Sequence, residues 1–138
     1  MSIQQGLTTS FKQQMLQAQQ NLTSDTLYIA LYTAFATLGP TTTAYSTDNE
    51  ITGTGYTAGG QTLTGVSINT ATDGTVYVNF DNVTWSGSQL TARGALIYNV
   101  TQSNASVAVL DFGADKTMTN FTVTMPANTA TTALIRFP

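Results

Sequence analysis

The sequence contains no His and no Cys, and only 8% of its residues are charged. An ordinary soluble domain carries about 25% charged residues. Without His, a Ser or Thr nucleophile lacks its usual activating base, and without Cys the chain has no disulfides to staple it. The sequence therefore predicts no enzymatic activity, no catalytic residue, no metal site and no cofactor.

The chain also has few positive charges and no long apolar run. Its net charge is −3, and its four basic residues are scattered, at Lys12, Arg93, Lys116 and Arg136. Because phosphate binding depends on clustered Lys and Arg, nucleic acid is not an expected partner. No run approaches the ~18 apolar residues of a membrane span, and the N-terminus lacks the basic and apolar regions of a secretory signal. We expect a chain that folds in a cytoplasm and has no membrane partner.

Thr is abundant, at roughly one residue in five, and its β-branched side chain favours strands. From residue 25 onward apolar and other residues alternate with period two, as at Leu27, Ile29 and Leu31. The predicted strands are 27–32, 62–68 with a bulge near Gly65, 76–80, 83–85, 90–99, 107–112, 121–125 and 133–137, with a hairpin turn at 73–74 and an edge strand or loop at 41–45. Their spacing predicts an all-β fold, a mainly antiparallel β-sandwich of about seven or eight strands over residues 25–138.

Residues 1–24 form a different kind of segment, predicted to be a single N-terminal α-helix. Ile3, Leu7, Phe11 and Met15 recur at i, i+4 intervals and would form one apolar stripe, while most of the remaining face is Gln. Gly6 and the run of hydroxyl residues that follows weaken the first turns, so the helix is expected to begin late. Either the stripe packs on its own domain, or it docks on another subunit, which an uncharged polar face would suit.

The acidic residues include close pairs, which can perform acid–base chemistry or bind a cation. Asp111 and Asp115 form one such pair, where a predicted strand runs into a Gly turn. The simpler interpretation is structural: Asp115 accepts backbone N–H bonds of the turn, and Asp111 pairs with a nearby Arg or Lys. Arg93 is the candidate for an ion pair with Asp111, or it could pair with an acid on a neighbouring subunit. No calcium-loop pattern is present, which favours the structural interpretation.

The aromatic residues are the candidates for contact with a ligand or partner. Tyr45, Tyr56 and Trp85 have rings that could stack on sugars or on protein, because each combines apolar area with a polar tip. Tyr45 and Tyr56 fall in predicted loops and are the better surface candidates. Trp85 continues an alternating apolar face, which favours a place in the core.

Several segments together resemble a family of small virion structural proteins of tailed bacteriophages. They are residues 27–32 (LYIALY), 45–50 (YSTDNE), 53–60 (GTGYTAGG), 93–99 (RGALIYN), 108–113 (AVLDFG) and 133–137 (ALIRF), so the likeness covers most of residues 7–137. The resemblance implies a place in a phage particle, with no enzymatic activity and no catalytic residues to carry over. The neutral composition favours the same interpretation, since absence of Cys avoids thiol oxidation outside the cell.

The function expected from these observations is that of a structural virion subunit made in the host bacterial cytoplasm. It would be a homo-oligomer attached to other virion proteins, at the neck or tail or on the capsid exterior as a decoration or cement protein. The alternative is a receptor- or glycan-binding module on the virion surface, using Tyr45, Tyr56 and Trp85.

Overall fold

A computed structural model of the chain describes residues 2–137. Within this range it has one α-helix and ten β-strands: β1 Gly6–Leu7, α1 Thr9–Leu16, β2 Leu27–Tyr32, β3 Gln61–Thr62, β4 Ser67–Thr70, β5 Val76–Asn79, β6 Val83–Trp85, β7 Leu90–Asn99, β8 Ala105–Met118, β9 Phe121–Val123 and β10 Ile135–Phe137. All strand pairs are antiparallel. The predicted all-β fold with one N-terminal helix is confirmed. No helix of residues 2–137 is both long enough and apolar enough to span a membrane.

The strands form three sheets that share one core. The largest sheet has the order β1-β8-β7-β2-β3, with the long β7–β8 hairpin at its centre; the others are β10-β5-β4 and β6-β9. Side chains from all three sheets meet in a single buried cluster, for example Ile97 from β7, Val78 from β5 and Phe121 from β9. This arrangement is sandwich-like, since the large sheet buries one face against the two smaller sheets.

The helix is shorter than the predicted segment. The prediction that four residues form one apolar stripe on it is wrong. Ile3 and Leu7 lie before the helix, whereas Phe11 and Met15 lie on it. The reason is local: Gly6 has φ +144°, a conformation that favours glycine, and the Thr8 hydroxyl accepts a bond from the N–H of Phe11 as the N-cap. The predicted late start of the helix is confirmed.

The residues before and within the helix pack on their own domain. Gly6 and Leu7 pair with Val109 and Ala108 of β8, and the Phe11 ring is fully buried in the core cluster. Gln20 is 4% exposed, and its amide donates to the carbonyl of Ser106 in β8. Residues 2–22 are therefore integrated into the β domain through backbone pairing, apolar packing and buried hydrogen bonds.

One predicted strand is divided in two, and residues 41–45, predicted as an edge strand or a loop, are a loop. The predicted strand 62–68 is interrupted at Gly65, which has φ +69° and lies against the Asp81 carboxylate. It therefore forms two strands, β3 and β4, instead of one bulged strand. Residues 41–45 are a loop that touches the start of β8 through a single bridge between Ala44 and Ala105. The predicted hairpin turn at 73–74 is confirmed, joining β4 to β5.

Candidate functional site

The loop between β2 and β3 contains the only Glu of the sequence, Glu50, and its carboxylate accepts three hydrogen bonds. The Tyr45 hydroxyl donates to Oε1 at 2.6 Å, and the Tyr56 hydroxyl donates to Oε2 at 2.5 Å. The backbone N–H of Gly59 donates to the same Oε2 at 2.8 Å. Hydrogen bonds to an ionised acceptor are roughly twice as strong as neutral ones, so Glu50 holds this loop to itself at three points.

Further tyrosines connect this loop to the large sheet. The Tyr98 hydroxyl of β7 donates to the Gly59 carbonyl at 2.6 Å, and its ring stacks on Tyr45 with centroids 4.6 Å apart and planes inclined by 17°. The Tyr32 hydroxyl of β2 donates to the Ser46 carbonyl at 2.6 Å. We call Glu50 with Tyr32, Tyr45, Tyr56 and Tyr98 the tyrosine cluster.

The ionisation of the tyrosines follows from this packing. Burial, followed by the negative charge of Glu50, raises the pKa of Tyr32 well above its usual range and that of Tyr98 to about 12. For Tyr45 and Tyr56, burial and the hydrogen bond donated to Glu50 both raise the pKa. These hydroxyls remain protonated at neutral pH, which is the state in which Tyr45 and Tyr56 donate to Glu50.

A second polar network ties the N-terminal residues to the large sheet. Asn99 of β7 is fully buried, and its amide donates to Gln20 Oε1 at 3.1 Å and to Asp25 Oδ2 at 2.8 Å. Burial raises the pKa of the Asp25 carboxyl, but bonds from the Asn21 N–H, Asn99 and Gln102 outweigh it, and the net shift is downward. This carboxylate is ionised at neutral pH and stabilises the turn into β2.

The three predicted aromatic contacts lie close together but are turned into the molecule. Trp85 is 1% exposed, so the prediction that it lies in the core is confirmed. The prediction that it is a surface contact is wrong. Its ring centroid lies 6.0 Å from that of Tyr56, which is itself partly buried, as is Tyr45. Sequence reasoning did not connect Glu50 or Tyr98 with Tyr45 and Tyr56; the position of the sole Glu, five residues after Tyr45 and six before Tyr56, was an available signal.

The predicted ion pair between Arg93 and Asp111 is wrong. Arg93 Nε donates to Asp115 Oδ1 at 3.0 Å, and both side chains are substantially exposed. Asp111 Oδ1 instead accepts the N–H of Gly113 in a local turn. The register of β7 and β8 shifts between Ala92 and Gly94, and this bulge brings the later of the two acids beside Arg93.

Among residues 2–137 no group of three or more His, Cys, Asp or Glu side chains is placed to hold a metal ion. A scan against protein-family models and searches of curated proteins and of solved structures gave no match to this chain. The site is therefore interpreted from its own geometry, which is that of a network holding a loop to a sheet.

Proposed function

We propose that this chain is a non-enzymatic structural subunit of a tailed-phage virion. In this proposal it acts as an oligomeric accessory protein at the neck or tail or on the capsid exterior, of the decoration or cement type. The particle as its location is supported by the resemblance to virion proteins of residues 27–32, 45–50, 53–60, 93–99, 108–113 and 133–137. The following observations support a role in shape and adhesion.

The observation that carries the proposal is how the acidic side chains are used. Six of the seven carboxylates accept hydrogen bonds that fix a turn, a loop or a strand pair. Asp73, for example, accepts the N–H of Thr75 in the β4–β5 turn, which lowers the pKa of its carboxyl. Acids committed in this way stabilise a shape and are poorly placed for proton transfer to a substrate.

The surface of the domain suits neutral contacts between proteins. Cross-strand Thr pairs, Thr84 with Thr122 and Thr91 with Thr117, join hydroxyls at 2.9 Å and 2.8 Å on exposed strands. Several large apolar side chains are also exposed: Leu16, Phe35, Ile68, Val100 and Phe137. Depletion of charge with retained apolar area is typical of the buried centre of protein interfaces.

The proposal is tested on phage particles purified from a host infected with the phage that encodes the chain. Mass spectrometry of gradient-purified particles is expected to find the chain in multiple copies, quantified against the major capsid protein of the same sample. Particles from a phage deleted for the gene should lack it. Absence of the chain from wild-type particles would overturn the proposal, as would a substrate turnover by the isolated chain that Asp111→Asn or Asp115→Asn removes.

A further inference from the structure

Strand β4 is an edge strand whose outward backbone groups are unpaired. In the β4–β5 hairpin the N–H of Ala71 donates to the carbonyl of Thr75, and the register continues through Thr70 with Val76 and Ile68 with Val78. Because hydrogen-bonded pairs alternate along an antiparallel ladder, Ser67, Asn69 and Ala71 bond towards β5. The N–H and C=O groups of Ile68 and Thr70 therefore point away from the sheet, and residues 2–137 provide them with no backbone partner.

The other edges of the described fold are protected, and β4 is not. Edge strands β1 and β3 have two residues each, β6 and β9 have three each, and β10 carries Arg136 at its centre. The part of β8 that extends past its pairing with β1 carries three charges, Asp111, Asp115 and Lys116. Short length and charge are the usual means of preventing edge-to-edge pairing. Strand β4, with the sequence Ser-Ile-Asn-Thr, has no charge and four residues, and its only contact from residues 126–132 by a hydrogen bond is the Asn128 amide donating to the Ser67 hydroxyl.

The side chains beside this edge are apolar on the face that turns towards the core. Ile68 is 47% exposed and Phe137 of β10 is 37% exposed, although both lie on the same sheet face as the buried Val78. Together with Met15 and Leu22 they line an open groove of about 520 Å³. Apolar side chains thus flank the outward-facing backbone groups of β4.

We propose that β4 pairs with β4 of a second copy of this chain, antiparallel and about a twofold axis through Asn69. Ile68 then lies opposite Thr70 of the partner copy, and each such pair exchanges two backbone hydrogen bonds. Asn69 lies opposite Asn69 of the partner copy in a pair without backbone bonds. The two three-stranded sheets become one continuous sheet of six strands.

The occupant is a second copy because this edge is complementary to itself. A twofold axis brings two copies of any charge into the same short paired segment, where like charges repel, so an edge without charge suits pairing with itself. Neither β4 nor β5 contains a charged residue. In the same register Ile68 extends the row formed by Thr70, Val76 and Phe137 in the partner copy, and so covers part of that copy's groove. This inference specifies one self-contact of the proposed oligomer, and its test uses the isolated chain.

The first experiment measures the association of the full chain by sedimentation equilibrium. We expect a dimer, and we expect Ile68→Lys to raise its dissociation constant about tenfold or more, because two like charges are brought into the paired segment. Phe35→Lys is the matched control. Phe35 is 66% exposed in the loop that follows β2, outside the sheet that contains β4, so this variant should dimerise like the wild type. A monomeric wild-type chain, or equal weakening by both substitutions, would overturn the proposal.

The second experiment identifies the edge, using the absence of native Cys. In the proposed register Asn69→Cys places two thiols opposite each other in a pair without backbone bonds, where Cβ atoms are about 4.5–5.5 Å apart. Mild oxidation is expected to give a covalent dimer. Thr117→Cys, on the charged end of β8, is the matched control and should cross-link at least tenfold more slowly. Equal rates for the two variants would contradict pairing through β4. If these tests contradict pairing through β4 but the chain is found in purified particles, only the dimer proposal is overturned. If the tests support the pairing but the chain is absent from particles, only the virion proposal is overturned.

Discussion

At the scale of single residues, Glu50 is the side chain on which the β2–β3 loop depends. Its two carboxylate oxygens accept from Tyr45, Tyr56 and the N–H of Gly59, which are separated in sequence but adjacent in space. A Gln at this position would place an NH2 group where one carboxylate oxygen now accepts a hydrogen bond. At least one of the three donor groups would then face another donor. An unpaired, partly buried donor loses the free energy of its bond with water as well as that of its lost partner.

We therefore expect Glu50→Gln to lower the free energy of unfolding by about 2–3 kcal/mol, measured by urea denaturation. Asp48→Asn is the matched control, since the Asp48 side chain is exposed in the same loop and accepts no hydrogen bond from residues 2–137. That variant should change the stability by less than about 0.5 kcal/mol. Similar losses from the two substitutions would contradict the role given to Glu50.

At the scale of secondary-structure elements, α1 has one residue that anchors it and one that faces away from the domain. Phe11 is fully buried in the core, whereas Leu16, at the end of the same helix, is 91% exposed. We expect Phe11→Ala to cost about 3–5 kcal/mol of stability, from lost apolar burial and the cavity left behind. Leu16→Ala should cost less than about 0.5 kcal/mol, measured in the same denaturation series. If the two variants were equally stable, α1 would not be packed as the structure has it.

The elements also show which sequence signals predict structure. Alternation predicted β2 and β5, because one face of each contributes to the shared core, as Ile29 and Val78 do. It gave no sign that the other face of β2 is also buried, at Ala30 and Tyr32. Spacing alone misassigned Ile3 and Leu7 to a helix, since the pattern contains no information about where β8, about a hundred residues later, offers an edge. Backbone conformation at Gly6 and tertiary pairing outweighed the periodicity.

The candidate site was predictable only in part, for a related physical reason. The sequence selected Tyr45 and Tyr56 but could not show that both hydroxyls converge on Glu50, because the loop conformation sets that geometry. Similarly, Arg93 was predicted to pair with the nearer acid, and a bulge that shifts the register gave it Asp115. Side-chain partners depend on register and bulges, which alternation leaves unspecified.

At the scale of the whole molecule, the tyrosine cluster links stability to alkaline pH. Burial and the charge of Glu50 raise the folded-state pKa of Tyr32, Tyr45, Tyr56 and Tyr98 above the value of 10.0 for an unperturbed tyrosine. The unfolded chain therefore loses these protons first as the pH rises. We expect a free energy of unfolding that holds up to about pH 10 and falls above it, by about 1.4 kcal/mol per pH unit for each such tyrosine.

The contribution of one tyrosine can be isolated by substitution. Tyr56→Phe removes one raised group, so the fall in stability between about pH 10 and pH 12 should be shallower by about 1.4 kcal/mol per pH unit. Tyr77→Phe, in β5 of a different sheet, is the control variant, and its stability should fall with pH as steeply as that of the wild type. An unchanged slope in Tyr56→Phe, or an equal change in both variants, would contradict the assignment.

The pairing of Gly6 and Leu7 with β8 has a consequence for how the fold is reached. During translation Gly6 and Leu7 emerge long before their partner strand exists, and they cannot pair with it until about a hundred more residues have been added. Contacts between residues this far apart in sequence form slowly, because closing the large loop costs conformational entropy before any stabilising bond is made. The pairing of β1 therefore depends on a strand that is synthesised about a hundred residues after it.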